Sequence, residues 1–292
     1  MLDSDDESFK TPKANGLVEP LSLQMGDRVL FRLYQDSRPN CLEVAPLQKG
    51  LVLVLDGSEL IEEGVGFGVP VVKYKNKTYF SSSAHCSVEE NEGGFSVTKL
   101  FVLDAVSRKS VGKSSYINDG LYRFLRKLFE RFYLDGPRFF PFFDKIMQLR
   151  QVAGVQTKFI RVQPKGAIAV KFSIQPSSIE VQVDLSDLDK DGCEEILVLN
   201  EQGSTFFSKY ADSEGIKLCD AKIGAWKEVK AKDAYLSVMK GSLAFGLEKR
   251  DGSLLFRGWE KTIGRFAWTG LSYSLPPQFS LFNYVIRLKK PG

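Results

Sequence analysis

A chain of 292 residues with 43% hydrophobic and 26% charged side chains buries a sizeable core and needs no disulfide staples, which excludes the disordered, fibrous and cysteine-stapled classes. A net charge of +4 is too mild to point to a nucleic-acid partner without a concentrated basic patch. Cys41, Cys86, Cys193 and Cys219 are scattered with no C-x-x-C pair and are expected as reduced thiols, and the lone histidine, His85, excludes a multi-histidine metal centre.

Residues 1–13 carry Asp3, Asp5, Asp6 and Glu7 with few apolar side chains, so a disordered acidic tail is expected, followed by one β-rich domain over 14–290. No apolar leader and no membrane-length apolar run is visible, which leads to the expectation of a soluble, cytoplasmic protein without membrane or nucleic-acid partners. Short β-branched and aromatic runs then alternate with turn residues: 28–34, 51–55 closed by Asp56-Gly57, 69–74, 77–80, and 95–103 after a turn at Gly93-Gly94. Between 119 and 152 the spacing changes. Leu121, Phe124, Leu125, Leu128 and Phe132 recur at helical intervals behind Asp119, and a second helical stretch runs from Pro141 to Val152. Strand texture returns at 158–162, 167–174, 179–183, 195–199, 204–210, 242–248, 253–258, 264–273 and 282–288. Many strands interrupted by one helical region predict a mainly β fold, a large antiparallel β-sandwich with a short helical insertion around 119–152.

The segment Asp187-Leu188-Asp189-Lys190-Asp191-Gly192-Cys193-Glu194-Glu195 places carboxylates at alternate positions, a glycine for a sharp turn, and a further carboxylate eight residues after the first. That spacing lets Asp187, Asp189, Asp191, the carbonyl of Cys193 and Glu195 converge on a hard cation, so a structural Ca2+ is one reading; a plain acidic turn is the other. Val198 stands at the twelfth position, where an EF-hand needs a glutamate, which excludes that motif. The pattern resembles the calcium hairpins of integrin-type β-propeller repeats, with Glu195 where that family has aspartate.

Other chemistry-bearing patterns are weaker. Val111-Gly112-Lys113-Ser114 lacks the leading glycine of a phosphate loop, and Gly64-Val65-Gly66-Phe67-Gly68 leads into strand-like sequence, so it reads as a glycine-rich turn or bulge. His85 and Cys86 are adjacent on an extended segment and point to opposite faces, which separates a nucleophile from its base. Arg257, Trp259, Glu260, Arg265, Trp268 and Tyr273 combine aromatic faces with charged hydrogen-bonding groups, as a sugar site requires; ordinary tryptophan burial is the competing reading.

The length, the two β-rich portions and the closing strand Leu281-Phe282-Asn283-Tyr284-Val285-Ile286-Arg287-Leu288 resemble the galactose-mutarotase-type supersandwich. The resemblance implies a large antiparallel fold and carbohydrate-related function, while one histidine does not supply that family's histidine pair. The expectation is a carbohydrate-binding or carbohydrate-related β-sandwich protein with a structural Ca2+. The alternatives are a carboxylate-dependent glycan hydrolase or lyase, for which Glu59, Glu62, Glu63, Glu89, Glu90 and Glu260 are candidates, and an interaction scaffold using the basic helical region.

Overall fold

The computed structural model describes residues 21–25, 29–34, 47–62, 64–75, 77–91, 94–110, 156–175, 177–238, 243–262 and 266–289. The expected tail at 1–13 and helical stretch at 119–152 lie outside them. In chain order the strands are β1 (Leu21–Met25), β2 (Val29–Leu33), β3 (Leu51–Leu55), β4 (Ser58–Glu59), β5 (Gly66–Tyr74), β6 (Lys77–Phe80) and β7 (Ser83–Asn91). Next come β8 (Gly94–Val102), β9 (Ala105–Ser110), β10 (Gln156–Arg161), β11 (Ala167–Gln175), β12 (Ser178–Asp184), β13 (Cys193–Gly203) and β14 (Lys209–Asp212). β15 (Lys217–Cys219), β16 (Lys227–Glu228), β17 (Asp233–Ser237), β18 (Ala244–Glu248), β19 (Leu254–Thr262), β20 (Phe266–Leu275) and β21 (Leu281–Lys289) complete the set.

They form two antiparallel sheets. The first has the order β1-β2-β3-β5-β13-β20-β19-β16, with β4 beside β3, β6 joining β5 to β9, and β10 on β9. The second runs β15-β14-β17-β18-β21-β12-β11-β8-β7. Among the described residues no helix is long and apolar enough to cross a membrane.

Strand parity explains the packing. In β21 the side chains of Phe282, Tyr284, Ile286 and Leu288 are buried and their neighbours Leu281, Asn283 and Arg287 are exposed, the period of two that a half-buried sheet imposes. Each such burial stabilises by roughly 2 kcal/mol. β3 and residues 66–72 of β5 instead read as apolar runs because both their faces are covered. The sheets meet through Phe67 of β5 edge-on to Phe245 of β18 (5.1 Å) and Tyr273 of β20 against Phe282 and Tyr284 of β21 (4.9 and 5.0 Å).

The glycine-rich segment at 64–70 is the bulge its composition suggests. The β5–β13 register slips between Leu199 opposite Val69 and Asn200 opposite Phe67, leaving Gly68 as the extra residue at φ +73°. A Cβ there would lie 2.8 Å from the ring of Phe172, so glycine is needed for conformation and for contact with β11.

Some strand boundaries differ from the sequence expectation. β13 runs on to Gly203, and Ser204–Phe206 form a turn closed by the Phe207 N–H on the Gly203 carbonyl (3.0 Å), so the expected strand over 204–210 begins only at Lys209. β7 is a polar strand at the margin of its sheet, and β17 is a short one, and neither has an apolar run to announce it.

Candidate functional site

Four neighbouring strands, β5, β13, β20 and β19, build the centre of the first sheet. Alternation sends Asn200, Tyr273 and Trp259 toward the second sheet and leaves Glu201, Trp268 and Glu260 on the opposite, outer face. Register aligns them: Glu201 stands beside Gly66 and Gly270, Gly270 beside Gly258, and Glu260 beside Trp268.

The glycines make room. A Cβ on Gly270 would sit 3.0 Å from Glu201 Cγ, and one on Gly258 would sit 2.7 Å from the indole of Trp226 and 2.8 Å from that of Trp268. Trp226 therefore lies flat across the sheet. It stacks on Trp268 with ring centroids 4.7 Å apart and an interplanar angle of 24°, and 36% of its surface is exposed. The Trp268 indole N–H donates to Glu260 Oε2 at 3.1 Å, which fixes the lower ring of the stack.

Glu201 is 7% exposed and accepts the Val65 N–H at 3.3 Å. Burial pushes its carboxyl up to about 7 and the negative charge of Glu260 adds to the rise, while the Val65 N–H and the Lys49 ammonium oppose it. Glu260 stands two strands across and two residues along from Glu201, a backbone separation of about 12 Å, near enough for the charges to be felt. Glu62 borders the same surface: its carboxylate accepts the Thr205 N–H at 3.2 Å and lies against Gly203, whose register partner is Trp268.

The structure divides the other glutamates proposed for catalysis. Glu59 is held by Arg32 (3.0 Å) and the Tyr34 hydroxyl, and Glu89 pairs with Lys171 (2.7 Å) at the far margin of the second sheet. Glu63 and the side chain of Glu90 lie outside what is described.

Of the aromatic and charged residues grouped at 257–273, the fold brings together Glu260 and Trp268. Arg257, Trp259 and Tyr273 have the other parity. The Arg257 guanidinium lies 4.6 Å above the Tyr210 ring, Trp259 is 4% exposed, and the Tyr273 hydroxyl donates to the Glu248 carbonyl at 2.6 Å inside the core. Arg265 lies outside the described residues. Trp226 and Glu201 escaped the sequence reading. The available signal for Glu201 was the polar run Asn200-Glu201-Gln202 extending an apolar strand, since three polar residues in a central strand need a reason to be buried.

At the acidic turn, Asp189 accepts Lys165 Nζ at 2.7 Å and the Asp191 N–H at 3.0 Å, and these hold its carboxyl below the usual range. Burial works to raise Glu195, yet the Lys73 ammonium and the Ser274 hydroxyl, both hydrogen-bonded to it, outweigh that and hold it low. Glu195 belongs to β13, and its partners come from the strands on either side, Lys73 of β5 and Ser274 of β20. Of the residues proposed for Ca2+, Asp187, Asp189, Asp191, Cys193 and Glu195, the structure pairs Asp189 with Lys165 and Glu195 with Lys73, and among the described residues no three His, Cys, Asp or Glu side chains gather as a metal site.

No protein-family model matches the chain, and no curated protein matches it. Among solved structures it is similar to the α-N-acetylgalactosaminidase NagBb from Bifidobacterium bifidum in complex with GalNAc, with a TM-score of 0.48 and 9% identity over 92% of this chain. The chain spans 35% of the length of that enzyme. It is also similar to a galactose mutarotase-like protein from Lactobacillus casei, with a TM-score of 0.38 and 8% identity over 93% of this chain and 99% of that one. For the galactose mutarotase related enzyme from Lactobacillus acidophilus the TM-score is 0.35 and the identity 7%, over 94% and 98%.

Proposed function

We propose that this chain is a carbohydrate-binding β-sandwich protein whose sugar surface is the outer face of the first sheet at Trp226, Trp268, Glu260 and Glu201. The observation that carries this reading is the part-exposed Trp226 ring stacked on a Trp268 whose N–H is anchored by Glu260. A pyranose presents a C–H face that packs on indole and a rim of hydroxyls that donate to carboxylates, and this patch offers both at neighbouring positions. A rigid stacked pair loses little conformational entropy on binding, which favours an affinity built on few contacts.

The test is a glycan array probed with the wild-type protein and Trp226→Ala. Wild type retains a defined set of glycans and the variant loses roughly tenfold or more in affinity for them, as removal of a stacking anchor does. A wild-type protein that retains no glycan, or a variant that binds as well, refutes the reading.

A second reading rests on Glu201. A carboxyl that titrates near neutrality is suited to give a proton to a leaving oxygen, with Glu260 as the ionised partner. Incubation with the glycans retained on the array separates the two: new reducing ends or unsaturated products appear if the site is catalytic, and intact glycan is recovered if it only binds.

A further inference from the structure

We propose that the cavity between the β5–β6 hairpin and the turn at Asp191–Gly192 is a binding site for a small oxyanion, a phosphate or sulfate group, separate from the sugar surface. The cavity has a volume of about 390 Å3 and is lined by Tyr74, Lys75, Lys77, Tyr79 and Lys165, with Asp191 and Gly192 on its far side. That volume lies at the small end of ligand-binding clefts, with room for one tetrahedral ion and several waters.

The charge decides the class of ligand. Lys165 is committed to Asp189 at 2.7 Å, and its Nζ also lies 5.2 Å from the centre of the Tyr74 ring. Lys75 and Lys77 make no ion pair or hydrogen bond among the described residues, so two uncommitted lysines line one cleft with Asp191 as the lone carboxylate on its lining. A divalent cation is repelled there, whereas an oxyanion accepts from both lysines and from the Tyr79 hydroxyl, which is likewise without a hydrogen bond among the described residues. The Tyr74 hydroxyl is already used, donating to the Asp189 carbonyl.

The backbone holds the lysines in place. Tyr74 pairs with Lys77, so the hairpin closes in two residues, and Lys75 takes φ +46°, a left-handed conformation uncommon for lysine that the tight turn requires. On the opposite wall Gly192, at φ +70°, comes within reach of the Lys75 stem: a Cβ there would lie 4.0 Å from Lys75 Cε.

The experiment is a titration of the full chain with inorganic phosphate, inorganic sulfate and glycerol phosphate, read by thermal melting and calorimetry, with sodium chloride at matched ionic strength as reference. The expected result is a saturable rise in melting midpoint above the chloride reference. Removal of each ammonium, in Lys75→Ala and Lys77→Ala, lowers phosphate affinity roughly tenfold, and the double variant shows no response. Both lysines are exposed, so the double variant melts in chloride as wild type does. Lys230→Ala, on a lysine paired instead with Glu228, keeps the full response. Tighter binding of glycerol phosphate than of inorganic phosphate identifies an ester as the ligand, and equal binding identifies the free ion. A response no larger than that to chloride, or one retained in the double variant, overturns the proposal.

Discussion

A carboxyl group placed in the middle of a sheet prefers to keep its proton, and Glu201 is such a group. Its folded value near 7 lies above the ordinary 4.5, so between those values the folded chain holds more protons than the unfolded one. The sign follows directly. The contribution to stability is fully present below about pH 4.5 and is lost as pH rises through about 7, on the order of 3 kcal/mol in all. Glu201→Gln keeps the shape and removes the titration, so it is expected to be more stable than wild type above pH 7, with the gap closing toward pH 4.5. Urea midpoints measured across that range check this, and a variant with the wild-type slope would remove Glu201 as the source. Sequence alone hid this residue because a glutamate is ordinarily solvated; its stem lies against Gly270 of β20, more than sixty residues away in sequence, where a Cβ would come within 3.0 Å of Glu201 Cγ.

At the scale of strands and turns, parity and neighbours decide what composition leaves open. Arg257, Trp259, Glu260, Trp268 and Tyr273 lie close in sequence, yet one register of the β19–β20 hairpin sends the odd-numbered ones into the core and Glu260 and Trp268 outward. The parity of each residue was readable; which parity faces the second sheet was not, because both faces of this hairpin carry aromatic residues. The acidic turn followed the same logic. Its spacing was visible, but the lysines that neutralise it, Lys73 and Lys165, come from β5 and the segment before β11, more than twenty residues away in sequence. With those ammonium groups in place, the melting midpoint in calcium is expected to match that in chelator to within about 1 °C. Differential scanning fluorimetry at fixed ionic strength measures it, and a rise of several degrees in calcium alone would show that the ion displaces the lysines.

At the scale of the whole molecule, the antiparallel sandwich was legible because most of the long strands advertise themselves by alternation or by an apolar run, while short or polar ones such as β4, β7, β9, β15 and β16 do not. The pairing order was not, since β13 lies between β5 and β20, partners more than fifty residues away on either side. A single buried amide ties these long-range pairings together. Asn200 Oδ1 accepts the Gly68 N–H at 3.1 Å, from the bulge of β5, and the Tyr284 hydroxyl at 2.8 Å, from β21 of the opposite sheet. Asn200 has no exposed surface and Tyr284 1%, so no solvent replaces a lost partner. Tyr284→Phe removes one donor, leaves the amide oxygen satisfied by Gly68, and costs about 1 kcal/mol. Asn200→Ala strands both donors and opens a cavity, at about 3 kcal/mol. The two losses overlap, because the Tyr284 hydroxyl has nothing to donate to once Asn200 is gone. In urea denaturation the double variant is therefore expected to be no less stable than Asn200→Ala alone, and strictly additive losses would show that the two side chains do not form one joint between the sheets.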